Sequence, residues 1–118
     1  MPEVYLKGEV MQLEIRGHNF TLTESLRRYA ERRLMFALGR FRHHIRSVTA
    51  RMADLNGPRG GVDKRFQVVV DGFQSREVLV IEQTDADMYV AIDRAVDRLA
   101  RLVRRQVSRL RPALTPAR

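Results

Sequence analysis

Met11, Leu13 and Ile15 alternate with Gln12, Glu14 and Arg16, the period of a strand with one buried face. Gly17, His18 and Asn19 break that alternation, and a different period follows. Leu26, Ala30, Leu34, Ala37 and Phe41 recur at helical spacing, as an amphipathic helix with one apolar stripe requires. Thr21 and Glu24 have the spacing of a capping box, and Thr23 is an equally good N-cap. The pattern predicts a helix over residues 23–38, with Gly39 helping to end it.

Alternation returns over residues 46–53, where Val48, Ala50 and Met52 share a face. The run Asn56-Gly57-Pro58-Arg59-Gly60-Gly61 cannot be regular structure and reads as a mobile loop. Phe66, Val68 and Val70 mark another strand. Asp71-Gly72 is a hairpin-turn signal, so a strand from Arg76 to Glu82 is expected to pair antiparallel with it. Val78 to Ile81 is apolar on both faces, which predicts a central or covered position. Thr84-Asp85-Ala86-Asp87 opens the last helix, with Thr84 or Asp85 as N-cap. Met88, Ile92, Ala95, Leu99, Leu102, Val103 and Leu110 form its apolar stripe, and Pro112 stops it.

The order is therefore β-α-β-β-β-α, and both helices need one sheet face to cover. That is an α+β two-layer sandwich, a four-stranded mixed sheet with two helices on one face. Residues 1–10 read as an N-terminal extension, 11–111 as one α/β domain and 112–118 as a short flexible tail.

Composition adds a partner class. The 118 residues carry 22 Lys+Arg against 14 Asp+Glu, a net charge of +8. All but Lys7 and Lys64 of those cations are arginine, the side chain suited to bidentate phosphate contact and to stacking on bases. Such a balance favours a polyanion, nucleic acid first and an anionic membrane surface second. The absence of cysteine excludes a disulfide framework and any thiolate zinc site, and it fits a reducing compartment. Residues 1–10 do not fit a secretory signal, and no run of ~18 apolar residues occurs. The expectation is a soluble cytoplasmic protein.

The charge is organised. Arg94, Arg98, Arg101, Arg105 and Arg109 are spaced by four, three, four and four, which puts them on one flank of the last helix beside its apolar stripe. Asp93, Asp97 and Arg104 lie on another flank, so those acids are not expected to neutralise the row. Late cations favour the negative end of a helix dipole, but one or two suffice for that. The first helix repeats the motif with aromatics interleaved, in Tyr29, Arg33, Phe36 and Arg40, while Arg27, Arg28 and Arg32 add charge outside. Arginines can hold phosphates while bases stack on Tyr29, Phe36 or Tyr89. Tyr29 and Phe36 also fit the edge of the core. The candidate RNA-binding residues are Arg27, Arg28, Arg33, Arg40, Arg94, Arg98, Arg101, Arg104, Arg105 and Arg109.

Catalysis finds little support. His18, His43 and His44 lack the i, i+4 spacing of a helical metal site. Asp85 and Asp87 are explained as helix caps, and Gly57, Gly60 and Gly61 have no P-loop Lys-Ser/Thr after them. Ser25, Ser47, Ser75 and Ser108 have no base in a readable motif. No enzyme activity, cofactor, metal or small-molecule substrate is expected. A membrane-bound helix is disfavoured, because the last helix's stripe is aliphatic and is needed to cover the sheet.

Four stretches together carry a family resemblance. They are Leu13 to Phe20 (LEIRGHNF), Thr23 to Leu34 (TESLRRYAERRL), Gly39-Arg40-Phe41, and Thr84 to Leu99 (TDADMYVAIDRAVDRL). The chain resembles the ribosome hibernation-promoting and ribosome-associated inhibitor family, in its short, sigma-54 modulation protein-like form. The resemblance implies the fold derived above. It also implies a partner, the rRNA of the small subunit within the 70S ribosome, and a place in the messenger and transfer RNA channel near the decoding centre. A protein there blocks initiation under stress. By position, Arg33 matches the family's cation in the first helix, and Arg94, Arg98, Arg101, Arg104 and Arg105 fall in its basic second-helix stretch. The chain departs from the long members in lacking their C-terminal dimerisation domain. Its loop from Asn56 to Lys64 is also longer and richer in glycine than in the plainest members. A structured-RNA or DNA-binding module without ribosome specificity is the alternative that composition alone supports.

Overall fold

The first helix begins where Thr23, in extended backbone, accepts a hydrogen bond from the Leu26 amide at 3.2 Å. In the computed structural model, which describes residues 4–5, 11–56, 61–72 and 78–110, this helix (α1, Glu24–Leu38) joins two parallel strands. These are β2 (Gln12–His18) and β3 (Ile45–Asp54). Asn19 makes the exit from β2 with φ 50°, a left-handed turn that asparagine tolerates. Strands β4 (Lys64–Gly72) and β5 (Val78–Asp85) follow antiparallel, and α2 (Met88–Leu110) closes the chain's described part. A two-residue strand, β1 (Val4–Tyr5), pairs antiparallel with the outer side of β2 and gives the sheet order β1-β2-β3-β4-β5. The four long strands and two helices have the α+β order expected from the sequence. The β1 addition was not legible there, because two residues carry no period.

Strand register lines up the apolar rows. Leu13 lies beside Val48, Val48 beside Val70 and Val70 beside Leu79, while Ile15, Ala50, Val68 and Ile81 form the next row. Leu26, Ala30, Leu34 and Leu38 from α1 join the same buried cluster, as do Ile92, Ala95, Val96, Leu99, Val103 and Val107 from α2. Both helices thus cover one face. Burying a leucine such as Leu99 fully contributes about 2 kcal/mol, and several such side chains hold each helix down.

Several expectations are corrected. Val78 and Val80 do not lie in a covered strand: β5 is at the sheet's rim, and the two valines are 45% and 55% exposed on the open face. Valine suits a pleated strand wherever that strand sits, so its presence on both faces did not imply coverage. Asp71-Gly72 is not a two-residue turn but the end of β4, with Asp71 opposite Val78. Glycine is required at 72 for another reason. Its φ is 146°, and a Cβ there would come within 2.5 Å of the Arg46 amide nitrogen. Thr84 and Asp85 belong to β5, and Asp87 caps α2 by accepting from the Tyr89 amide at 2.9 Å. Gly39 does cap the end of α1 as expected, in right-handed backbone, and it opens a 3-10 helix over Gly39–His44. The expected turn residues Gly57, Pro58, Arg59 and Gly60, together with Ser75, Arg76, Arg111, Pro112 and the 112–118 tail, lie outside the described residues, as does nearly all of the 1–10 extension.

Candidate nucleic-acid interface

The helices meet at a polar seam. Tyr29 donates its hydroxyl to Asp93 Oδ1 at 2.5 Å, and Arg33 Nε donates to the same oxygen at 3.1 Å. Arg33 Nη2 reaches the Asp93 carbonyl at 3.3 Å and Asp97 Oδ1 at 3.2 Å. Tyr89 packs its ring edge-on against Tyr29, with centroids 5.0 Å apart. The hydrogen bond to Asp93, helped by burial, pushes the Tyr29 hydroxyl above its ordinary pKa. Burial works to lower the Arg33 pKa, but its bonds to Asp97 and Asp93 together raise it. Asp93 and Asp97 therefore serve the contact between helices. Their place off the arginine row was read correctly, but their partner across the seam was not visible.

The α2 arginines divide along the helix. Arg94 pairs with Asp85 at 3.5 Å, an acid contributed by β5 rather than by the helix itself. Arg98 Nη1 donates to the Glu82 carbonyl at 3.4 Å. The flank expected to be free of acids is therefore partly tied down at its first two positions. Beyond them Arg101, Arg104 and Arg105 are exposed and make no hydrogen bond or ion pair among the described residues, and Arg109 donates to neutral Gln106 at 2.8 Å. On α1, Glu24 takes both Arg27, at 2.8 Å, and Arg28, at 3.1 Å. Arg32 is exposed without such a partner among the described residues.

The candidate stacking residues differ as sharply. Tyr29 and Tyr89 are engaged with each other, whereas Phe36 is 86% exposed. It stands over a groove of about 440 Å³ between the helices, lined by Phe36, Arg40, Phe41, Val96, Ala100 and Arg104 among others. His44 and Ser108, weighed in the sequence only as a metal ligand and a nucleophile, line an adjoining cavity with Arg40 and Arg104. The spacing of Arg40 to His44 and of Arg104 to Ser108, four residues each, is the signal that could have found them. Among the described residues there is no cluster of three or more His, Asp or Glu arranged to hold a metal ion. No helix among them is long and apolar enough to cross a membrane.

Two helices on one face of a mixed sheet, with Arg101, Arg104 and Arg105 exposed and without an acidic partner among the described residues, define a small basic α+β domain. The profile of the sigma 54 modulation protein / S30EA ribosomal protein family matches residues 13–111. The chain belongs to that family of ribosome-associated factors. The N-terminal domain of Protein Y from Thermus thermophilus is 33% identical, with a TM-score of 0.59 over 77% of this chain and 92% of that one. A ribosomal subunit interface protein from Coxiella burnetii shares the fold, with a TM-score of 0.66 at 17% identity over 81% of this chain and 97% of that one. No curated protein matches the sequence.

Proposed function

We propose that this protein is a ribosome hibernation factor whose helical layer docks on structured rRNA of the small subunit. In this reading it occupies the messenger and transfer RNA channel near the decoding centre and blocks initiation under stress. Family membership supports the ribosomal address, and the names of the two similar structures, an interface protein and Protein Y, agree with it. The observation that carries the reading is the run of exposed Arg101, Arg104 and Arg105, which have no partner among the described residues. Guanidiniums left without acids are free to replace counterions along a phosphate backbone. Block is steric, so no reaction chemistry is needed. Phosphates and 2′-hydroxyls give the protein its position, and sequence readout contributes little.

Co-sedimentation with purified ribosomes at near-physiological salt tests this directly. The protein should travel with small subunits or whole ribosomes and be displaced by messenger or initiator transfer RNA. Replacing Arg98, Arg101 and Arg105 with Glu should leave it at the top of the gradient with an unchanged circular dichroism spectrum. Retained binding by that folded variant would remove the site from this flank. Equal competition by bulk duplex RNA would leave a general RNA-binding module without a ribosomal address.

A further inference from the structure

At the far end of the helical layer lies a cavity of about 350 Å³ that the arginine row does not account for. Arg40, Phe41 and His44 line it from the 3-10 segment, and Arg104, Val107 and Ser108 from α2. Its chemistry is one-sided. Two guanidiniums, an imidazole and a hydroxyl converge there, and no carboxylate lines it. The groove between the helices shares Arg40, Phe41 and Arg104 with this cavity and runs on to Phe36. Asp97 borders that groove, but its carboxylate is already held by Arg33.

Two features give the site form. The Arg40 guanidinium carbon lies 4.9 Å from the Phe41 ring centroid, a cation–π contact that holds the charge in place. Phe36 offers a flat apolar surface at the other end, and its 86% exposure leaves the ring open to a stacking partner. Each space falls within the range of about 300–1,000 Å³ typical of sites for small organic groups.

We infer that this cavity seats one nucleoside 5′-phosphate, with the phosphate on Arg40, His44, Arg104 and Ser108 and the base laid on Phe36. A base inside a duplex cannot reach such a seat, whereas an unpaired nucleotide can be splayed into it. The inference rests on the nucleic-acid reading of the helical layer and sharpens it, from contact along a backbone to reception of a single nucleotide. A residue of an RNA strand and a free nucleotide present the same chemistry.

The test is an amide NMR titration of the full chain with adenosine 5′-monophosphate, adenosine and a short unpaired oligoadenylate. The monophosphate should shift the amides of Phe36, Arg40, Phe41, His44, Arg104 and Ser108. Adenosine should bind at least about tenfold more weakly, the loss expected for missing charge-assisted hydrogen bonds. Ser108→Glu sets a carboxylate against the phosphate and should cost a further factor of about ten, while His44→Gln should cost several-fold with the arginines intact. Shifts confined to the Arg94–Arg109 flank, or binding indifferent to Ser108→Glu in a variant with an otherwise unchanged spectrum, overturn the assignment. Tighter binding of the oligomer than of the monophosphate assigns the seat to RNA, and equal binding assigns it to a free nucleotide. Failure of ribosome co-sedimentation alongside intact monophosphate shifts would sink the ribosomal reading and leave this one standing.

Discussion

The two halves of α2 differ in how many arginines they carry, two in the first and four in the second, and in how those arginines are used. In the first half, Asp93 and Asp97 bind Arg33, Arg94 pairs with Asp85, and Arg98 donates to the Glu82 carbonyl. In the second half, Arg101, Arg104 and Arg105 find no acid among the described residues. The difference lies in the neighbours. The first half runs beside the acidic end of β5 and against α1, while the second extends past both supplies of carboxylate. One helix thus holds the fold together with one end and leaves its charge available at the other.

The contrast predicts opposite phenotypes for the two halves. Converting Arg101 and Arg105 to Glu should lower ribosome affinity by about a hundredfold, since two phosphate contacts are replaced by repulsion, while the thermal midpoint stays put. Binding by the wild type should also fall with salt at a log–log slope of about −3 to −5, and each of Arg101→Gln and Arg105→Gln should flatten it by about one. Asp93→Ala should do the reverse. It strips Tyr29 and Arg33 of their shared acceptor, costs about 1–2 kcal/mol in this half-exposed setting, and lowers the melting midpoint by about 5 °C. Ribosome affinity of that variant should change little; a large loss would erase the distinction between the halves.

The seam also predicts a pH dependence. Because the folded Tyr29 pKa is raised above its ordinary value of 10.0 by Asp93 and burial, its contribution is complete below that value and is lost as pH climbs through the folded pKa. Melting curves between neutral pH and pH ~11 should show this alkaline decline, and Tyr29→Phe should abolish that component of it. The smallest effect is expected of Arg94→Ala, whose exposed pair with Asp85 is worth less than about 0.5 kcal/mol.

The parts of this molecule that a single element encodes were legible in its sequence. Alternation at Met11 to Ile15, the four-residue spacing from Leu26 to Leu34 and the Arg94–Arg109 row each follow from the geometry of one strand or helix. What escaped depends on two elements meeting. Arg33 and Asp93 are 60 residues apart, and only the packing of α1 on α2 makes them partners. Gly72 resembled a turn glycine because sequence does not show Arg46 closing on it. Lys64, one of only two lysines, sits at 2.9 Å from buried Asp63 and 3.4 Å from Asp54, a structural post that composition does not show.

The rim of the sheet adds a consequence for handling the protein. No described strand pairs with the outer edge of β5, whose Val78 and Val80 are exposed on the adjoining open face, and an unpaired edge is a template for growth of one molecule onto another. Arg98 occupies the Glu82 carbonyl on that edge, and its cationic neighbours repel a second copy. These guanidiniums, under a net charge of +8, are expected to keep copies of the protein apart. Neutralising Arg94, Arg98 and Arg101 together should yield a folded protein that precipitates on concentration, and restoring charge on the strand itself with Val80→Lys should bring it back into solution.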